Sequence, residues 1–201
     1  NQKQNIWSAF VKTKKKISEG DRIIFFESFY ATIHSISSEE NQKTFFLKFN
    51  ISSTELKKKI GKFGCVPLPQ YIKKRGILNS DLVDYQTVFA EKEGAVAAPT
   101  ASLHFTRKLL NKLKKIKIKI IKVTLHANGG TFLPIKSDDI SKHSMHYENG
   151  FISKKAAEEI NKVKKKGGRI IGVGTTVLRI LESSKDKYGF IKPFKGETNI
   201  F

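Results

Sequence analysis

The stretch from residue 106 to residue 183 alternates between helical and strand spacing, and this alternation constrains the fold more than any other feature. RKLLNKLKK has the spacing of a helix that Thr106 can cap, and KIKIIKVTLHA at 117–127 alternates apolar with polar residues like a strand. KKAAEEINKVKKKGG after Ser153 predicts a second helix, RIIGVG a short buried strand, and TTVLRILES a third helix. This order predicts an α/β layer with a largely parallel sheet, whose ligands sit outside the carboxyl ends of the strands.

The N-terminal part of the chain has a different texture. RIIFF, FYATIHSIS and KTFFLKFN, between residues 22 and 50, are short runs of β-branched and aromatic residues, and SEENQ between two of them is a polar turn. These runs predict antiparallel strands. ISSTELKKKIG then predicts a short helix that begins at Ser52 or Ser53 and ends at Gly61.

Two prolines in CVPLPQYIKKRG force extended backbone and predict a connection around residues 64–84. We therefore expect a β domain over 1–66, a connecting segment over 67–84, and an α/β catalytic domain over 85–201. The lone Cys65 cannot form an internal disulfide. No apolar run approaches the roughly 18 residues of a membrane span, so we expect a cytoplasmic protein without a membrane partner.

Net charge points to a polyanionic partner. The chain has 38 basic and 18 acidic residues, a formal charge of +20, which attracts nucleic acid or an anionic membrane face. A bias towards lysine, isoleucine, asparagine and phenylalanine is an alternative source of this charge, because an AT-rich genome imposes it on every protein. The clusters Lys112, Lys114, Lys115 and Lys164 to Lys166 could contact phosphates, although the solvated side of an amphipathic helix is the more common role of such lysines.

Glycine-rich turns follow two predicted strands. Gly172 and Gly174 precede Thr175 and Thr176, where free backbone N–H groups and hydroxyls could receive a ligand, although two glycines between a strand and a helix more often form a simple tight turn. Gly129 and Gly130 follow the strand that ends at His126, and they allow either close approach of a ligand or a sharp bend.

HSMHYE, at 143–148, is the densest polar segment. Its two histidines and Glu148 fit a metal site, acid–base chemistry or an ordinary surface loop. His126, Asp138 and Asp139 lack a zinc-ligand spacing relative to this segment, so acid–base work is favoured and no metal is expected. His104 is either a satisfied core residue or part of a polar pocket wall with Thr100 and Ser102.

Six blocks occur in one order with short spacers: PLPQYIKKR, YQTVFA, GAVAAPTASLHFT, VTLHANGGTFLPI, HSMHYE and VGTTVLRILES. Together they resemble the S-adenosylmethionine:tRNA ribosyltransferase-isomerase family of queuosine biosynthesis, over residues 64 to 201. The resemblance implies an α/β domain with a small antiparallel β-barrel domain inserted into it. It also implies transfer and isomerisation of the ribosyl part of S-adenosylmethionine onto a 7-aminomethyl-7-deazaguanine wobble base, which gives epoxyqueuosine, adenine and methionine.

The resemblance assigns roles to residues. S-adenosylmethionine is the co-substrate, the anticodon stem-loop of tRNA is the partner, and a monomer is expected. The candidate catalytic residues are His104, His126, His143, His146 and Glu148. The candidate substrate-binding residues are Tyr85, Gln86, Thr87, Pro99, Thr100, Phe105, Gly129, Gly130, Thr131, Phe132, Met145, Gly174, Thr175, Thr176, Arg179 and Glu182.

Three positions carry a more specific expectation. Arg179 could bind the methionine carboxylate or a tRNA phosphate, or pair with Glu182 one helical turn on. Ser102 stands where the family usually has glycine, and Leu133 where arginine is usual. Ser102 restricts the backbone that a glycine would leave free, and Leu133 removes the positively charged hydrogen-bond donor that an arginine would supply. A non-catalytic RNA-binding module and an S-adenosylmethionine-dependent methyltransferase are the rival functions.

Overall fold

The computed structural model describes residues 5–39, 42–69, 72, 76, 78–132 and 145–200. The chain divides into two compact units, Asn1–Cys65 and Val66–Phe201. The single cysteine, Cys65, is exposed at the end of the first unit. No helix in the described part of the chain is long and apolar enough to cross a membrane.

The first unit is built on a four-stranded antiparallel sheet, as the runs of β-branched and aromatic residues predict. Its strands, in the spatial order β1-β4-β3-β2, are β1 (Ile6–Ala9), β2 (Arg22–Phe26), β3 (Phe29–Glu39) and β4 (Gln42–Phe49). Among the residues that the structure describes, no ladder joins β1 to β2. The sheet is therefore open, and the closed barrel that the resemblance implies is not seen in it.

The core of the first unit lies on one face of this sheet. Ala31, Ile33, Phe45 and Leu47 are buried there, as expected for residues two apart on neighbouring strands. The register of β3 against β4 shifts after Ile33, so that Ile36 rather than Ser35 packs against this core. The bulge keeps an apolar residue on the buried face.

The first unit also contains helix α1 (Ser53–Phe63), which begins where predicted but ends later. Ser52 is the N-cap, and its hydroxyl accepts the Glu55 N–H at 3.2 Å. Gly61 was expected to end the helix, and this was wrong, because the helix continues to Phe63 and is followed by Gly64. Gly61 does not have a positive φ, so it continues the helix like any other residue.

The second unit combines helices with a small sheet. Its elements are α2 (Asp81–Asp84), α3 (Arg107–Lys115), β5 (Thr124–His126), β6 (Glu148–Ile152), α4 (Lys154–Lys165), α5 (Thr175–Ser184) and β7 (Phe194–Thr198). The caps predicted for two helices are present: the Thr106 hydroxyl accepts the Leu109 N–H at 3.1 Å, and the Ser153 hydroxyl accepts the Ala156 N–H at 3.1 Å. The mixed α/β class is confirmed.

The predicted parallel sheet is not observed. The strands pair antiparallel in the order β5-β6-β7, RIIGVG forms no strand, and only Thr124–His126 of the segment 117–127 does. A strand needs a neighbour on its edge to satisfy its backbone groups. In the described part of the chain, the backbone N–H groups of residues 119–123 and 169–173 have no such partner.

Helices α4 and α5 pack on the sheet of the second unit. Ile152, Ala156, Ala157 and Ile180 form the buried core, and Ile180 is 0% exposed. A Cβ atom on Gly150 would lie 2.5 Å from Cδ1 of Ile180. The glycine therefore lets α5 lie close against β6. This packing brings Arg179 on α5 to Glu148 on β6.

Candidate functional site

A cavity of about 770 Å³ lies within the second unit. Three parts of the chain form most of its wall: the segment from Tyr85 to Pro99, the segment from Ile118 to His126, and the beginning of α5 with the residues before it. The remaining lining residues are Val66, Pro67, Ser102, Phe105, Leu110 and Leu113. The candidate substrate-binding and catalytic residues on its wall are Tyr85, Gln86, Thr87, Pro99, Phe105, His126 and Thr176. Most of the wall is apolar, and the volume lies in the range of small-molecule sites.

His126 is held at the cavity wall by close packing against a glycine. Gly94 has φ +128°, and a Cβ atom there would lie 2.9 Å from Nδ1 of the His126 ring. Next to it, the N–H groups of Val96 and Ala97 donate to the carbonyl oxygen of Ala127 at 2.8 and 3.4 Å. The segment 94–97 thus fixes the end of β5, and any side chain at Gly94 would displace the imidazole.

A buried carboxylate organises the turn after β5. Glu148, at the start of β6, is 4% exposed. Its Oε2 accepts a hydrogen bond from Nη1 of Arg179 at 2.6 Å. Its Oε1 accepts the Asn128 N–H at 2.9 Å and the Thr131 hydroxyl at 3.3 Å. One carboxylate therefore joins β6, helix α5 and the turn at 128–131.

The structure identifies the partner of Arg179. The arginine pairs with Glu148, whereas Glu182 pairs with Lys185 at the surface. The alternative pair between Arg179 and Glu182 is not formed, because the arginine side chain is turned towards the sheet, where it is only 17% exposed. The contact joins residues that lie 31 positions apart in the chain.

The second glycine of the Gly129–Gly130 pair approaches a histidine. A Cβ atom on Gly130 would lie 2.0 Å from Cδ2 of His146, so only glycine leaves room for this ring. Asn128 shapes the same turn, since its Oδ1 accepts the Gly129 N–H at 2.7 Å and its carbonyl oxygen accepts the Thr131 N–H at 3.2 Å. The glycine pair therefore leaves room for the His146 ring and also forms the bend.

The turn before α5 also depends on a glycine. Gly174 has φ +89° and precedes the first residue of the helix, and a Cβ atom there would lie 3.2 Å from Cβ of Ala101. Ser102, on the same short 3-10 turn as Ala101, is buried, and its N–H donates to the Pro99 carbonyl oxygen at 2.8 Å. Ser102 does not have a positive φ, so the serine occupies its position without left-handed strain.

Several candidates lie apart from the cavity and from the Glu148 cluster. Thr100, His104 and Thr175 are exposed, so His104 is neither a core residue nor part of the cavity wall. Phe132 and Met145 are partly buried in the segments that flank the site. His143 and Leu133 lie outside the described residues.

Asn128 is the site residue that the sequence analysis missed. Its signal in the sequence is its position between His126 and Gly129, because asparagine often hydrogen-bonds to the backbone of a turn. Among the described residues, no group of three or more histidine, cysteine, aspartate or glutamate side chains comes together as a metal site would require.

Comparison with known proteins gives consistent matches. A family model described as queuosine biosynthesis protein matches residues 1–201. Relatives named S-adenosylmethionine:tRNA ribosyltransferase-isomerase from Brucella anthropi and Brucella ovis are 45% and 46% identical over 201 residues, which are 97% of this chain and 55% of each relative. The chain thus spans about half the length of these relatives.

A crystal structure of S-adenosylmethionine tRNA ribosyltransferase from Thermotoga maritima is similar at 20% identity and a TM-score of 0.34, over 98% of this chain and 48% of that one. The family model, in contrast, matches this chain over residues 1–201. The chain therefore belongs to the queuosine biosynthesis protein family.

Proposed function

We propose that this chain carries the reaction site of an S-adenosylmethionine:tRNA ribosyltransferase-isomerase. The enzyme transfers the ribosyl group of S-adenosylmethionine to the 7-aminomethyl-7-deazaguanine wobble base of tRNA and rearranges it, which releases adenine and methionine and leaves epoxyqueuosine. The names of the relatives support this reaction. The observation that carries the proposal is the cavity that His126 and Thr176 share, beside the turn that Glu148 and Arg179 hold.

The cavity suits the nucleoside part of the co-substrate. Its apolar walls can cover the adenine ring, and Tyr85 and Phe105 offer aromatic faces. Gln86, Thr87 and Thr176 supply the hydrogen-bonding groups that ribose hydroxyls and departing adenine require. An apolar wall also excludes water, which strengthens every electrostatic contact with the sulfonium.

The reaction needs a base, because the sulfonium acidifies the adjacent ribose carbon and a carbon-bound proton must leave. His126 and His146 are partly buried, and each is packed against a glycine. Both carboxylate oxygens of Glu148 already accept hydrogen bonds. We therefore assign proton transfer to these two histidines and a positioning role to Glu148.

The remaining expectations belong to the complete protein. We propose a layered α/β sheet with a small β-barrel domain, with domain bounds at 1–66, 67–84 and 85–201, and a cytoplasmic monomer that acts on the tRNA anticodon stem-loop. Within the described chain, the backbone groups of residues 119–123 and 169–173 have no backbone partner, and such a free edge supports a larger sheet.

Product analysis tests the proposed function. The protein is incubated with S-adenosylmethionine and tRNA that bears the aminomethyl precursor base, and the products are separated by chromatography. We expect free adenine. S-adenosylhomocysteine would indicate a methyltransferase instead, and RNA binding without either product would leave a non-catalytic RNA-binding module.

Histidine variants test the assignment of the base. We expect His126→Gln or His146→Gln to lower kcat for adenine release by about 100-fold or more, the usual contribution of general acid–base catalysis. His34→Gln is the matched control, because His34 is exposed on the first unit. If neither site variant differs from this control, the base lies elsewhere.

A further inference from the structure

The first unit carries a cluster of phenylalanines that extends from its core to the surface. We call it the phenylalanine face, and its members are Phe25, Phe26, Phe29, Phe49 and Phe63. The ring centroids of Phe25 and Phe29 are 4.9 Å apart at an interplanar angle of 27°, and those of Phe26 and Phe63 are 4.8 Å apart. β2, β3, β4 and α1 thus bring their aromatic residues to one place.

These rings reach solvent. Phe25, Phe26 and Phe63 are 44%, 48% and 49% exposed, while Phe29 beneath them is 6% exposed. Ile24 and Ile60 next to them are also exposed. Contiguous exposed apolar surface of this kind marks a binding site.

Lysines cover the same surface. The Lys59 ammonium lies 5.3 Å from the Phe29 ring centroid, and that of Lys62 lies 5.2 Å from the Phe63 ring centroid. Lys57 and Lys58 precede them on α1. Rings that accept stacked bases, beside ammonium groups that meet phosphates, are the combination that binds single-stranded nucleic acid.

The charge also discriminates between kinds of partner. The buried centre of a protein–protein interface is depleted of lysine, because an ammonium loses its hydration there. On the phenylalanine face Lys59 and Lys62 lie directly over the rings, so a protein that covered the rings would bury both charges. A phosphate backbone instead compensates them.

We propose that the phenylalanine face binds unpaired bases of an RNA strand. The bases stack on Phe25, Phe26 and Phe63, and Lys59 and Lys62 contact the adjacent phosphates. The choice of RNA rests on the proposed function, in which the substrate is a tRNA whose loop bases are unpaired. The phenylalanine face would contact the RNA in addition to the reaction site, which binds the wobble base. The reaction chemistry itself does not require this second contact.

Equilibrium binding of a fluorescein-labelled anticodon stem-loop RNA to the whole chain, followed by anisotropy, tests the proposal. Phe26→Ala and Phe63→Ala should each weaken binding by about tenfold, since a stacked base contributes about 1–3 kcal/mol. Phe10→Ala is the matched control: Phe10 is 46% exposed on the same unit and has no ring contact among the described residues. We expect it to bind within about twofold of the unmodified chain.

A second variant separates stacking from folding. Phe63→Leu keeps apolar volume but removes the ring, so RNA binding should weaken while the melting temperature stays unchanged. Unchanged RNA affinity in this variant, with or without a lower melting temperature, would overturn the inference. RNA binding without adenine release would refute the proposed function alone, and adenine release with full RNA affinity in Phe63→Leu would refute the phenylalanine face alone.

Discussion

The Glu148–Arg179 pair has the energetics of a buried ion pair. Taking two charges out of water is costly, so the pair by itself contributes little net stability. Removing one partner is different, because the remaining carboxylate keeps its burial and loses its compensation. At this position the loss also reaches the turn that carries Gly130 and faces His146, because Asn128 and Thr131 share the same carboxylate.

We expect Arg179→Gln to lower the free energy of unfolding of the second unit by about 3–5 kcal/mol. Glu182→Gln is the control on the same helix, where the exposed pair with Lys185 should contribute less than about 1 kcal/mol. Urea unfolding followed by circular dichroism measures both changes. The double variant Glu148→Gln/Arg179→Gln should recover part of the loss, and strictly additive losses would contradict the coupling.

Also at the residue scale, the type of a residue indicates what chemistry its side chain can perform, but not which other side chain it contacts in the fold. His126, Thr176 and the glycine turns could be selected from the sequence as candidates, because each lies at or after the end of a predicted strand. The partner of Arg179 could not, since helical spacing offers only neighbours three or four residues away and Glu148 is 31 away. His104 was selected as part of a polar pocket wall with Thr100 and Ser102, and it is exposed and does not line the cavity.

At the scale of elements, the helices of the second unit were predicted better than its strands. The caps Thr106 and Ser153 act within three residues, so they are visible in the sequence. β6 and β7 were not predicted, and most of the segment 117–127 is not a strand, because a strand depends on a partner that is distant in the chain.

The turn between α5 and β7 gives a pH dependence. The Asp186 carboxylate accepts N–H groups of Phe190 and Tyr188, each at 2.9 Å, and these bonds, the one from Phe190 foremost, lower the pKa of Asp186 below 3.8. A lowered pKa stabilises the folded state above the ordinary value of 3.8, and this contribution is lost as the pH falls through the lower folded value.

We therefore expect the free energy of unfolding of Asp186→Asn to depend less on pH than that of the unmodified chain below pH 3.8. The amide oxygen can still accept both N–H groups, so the variant isolates the charge. Thermal unfolding at a series of pH values measures the difference. Parallel stability curves would show that the turn does not hold the carboxylate in its ionised form.

At the scale of the whole molecule, the charge of +20 should strengthen the proposed association with RNA. If six or more phosphates are contacted, raising the salt concentration from about 50 to about 200 mM should weaken anticodon stem-loop binding by about 10³-fold, through counterion release. Anisotropy titrations at several salt concentrations give the slope. A sucrose series is the control, because an uncharged solute releases no counterions, and a flat salt dependence would contradict a phosphate-based contact.

The exposed position of Cys65 affects how the assembly state is measured. As the one thiol of the sequence, it can react with the same atom of a second molecule under air, and the product is a covalent pair joined at a single position. Such pairs would elute as dimers during chromatography without any specific interface. Hydrodynamic mass determinations therefore require a reductant, and a dimer that persists in its presence would be held by noncovalent contacts.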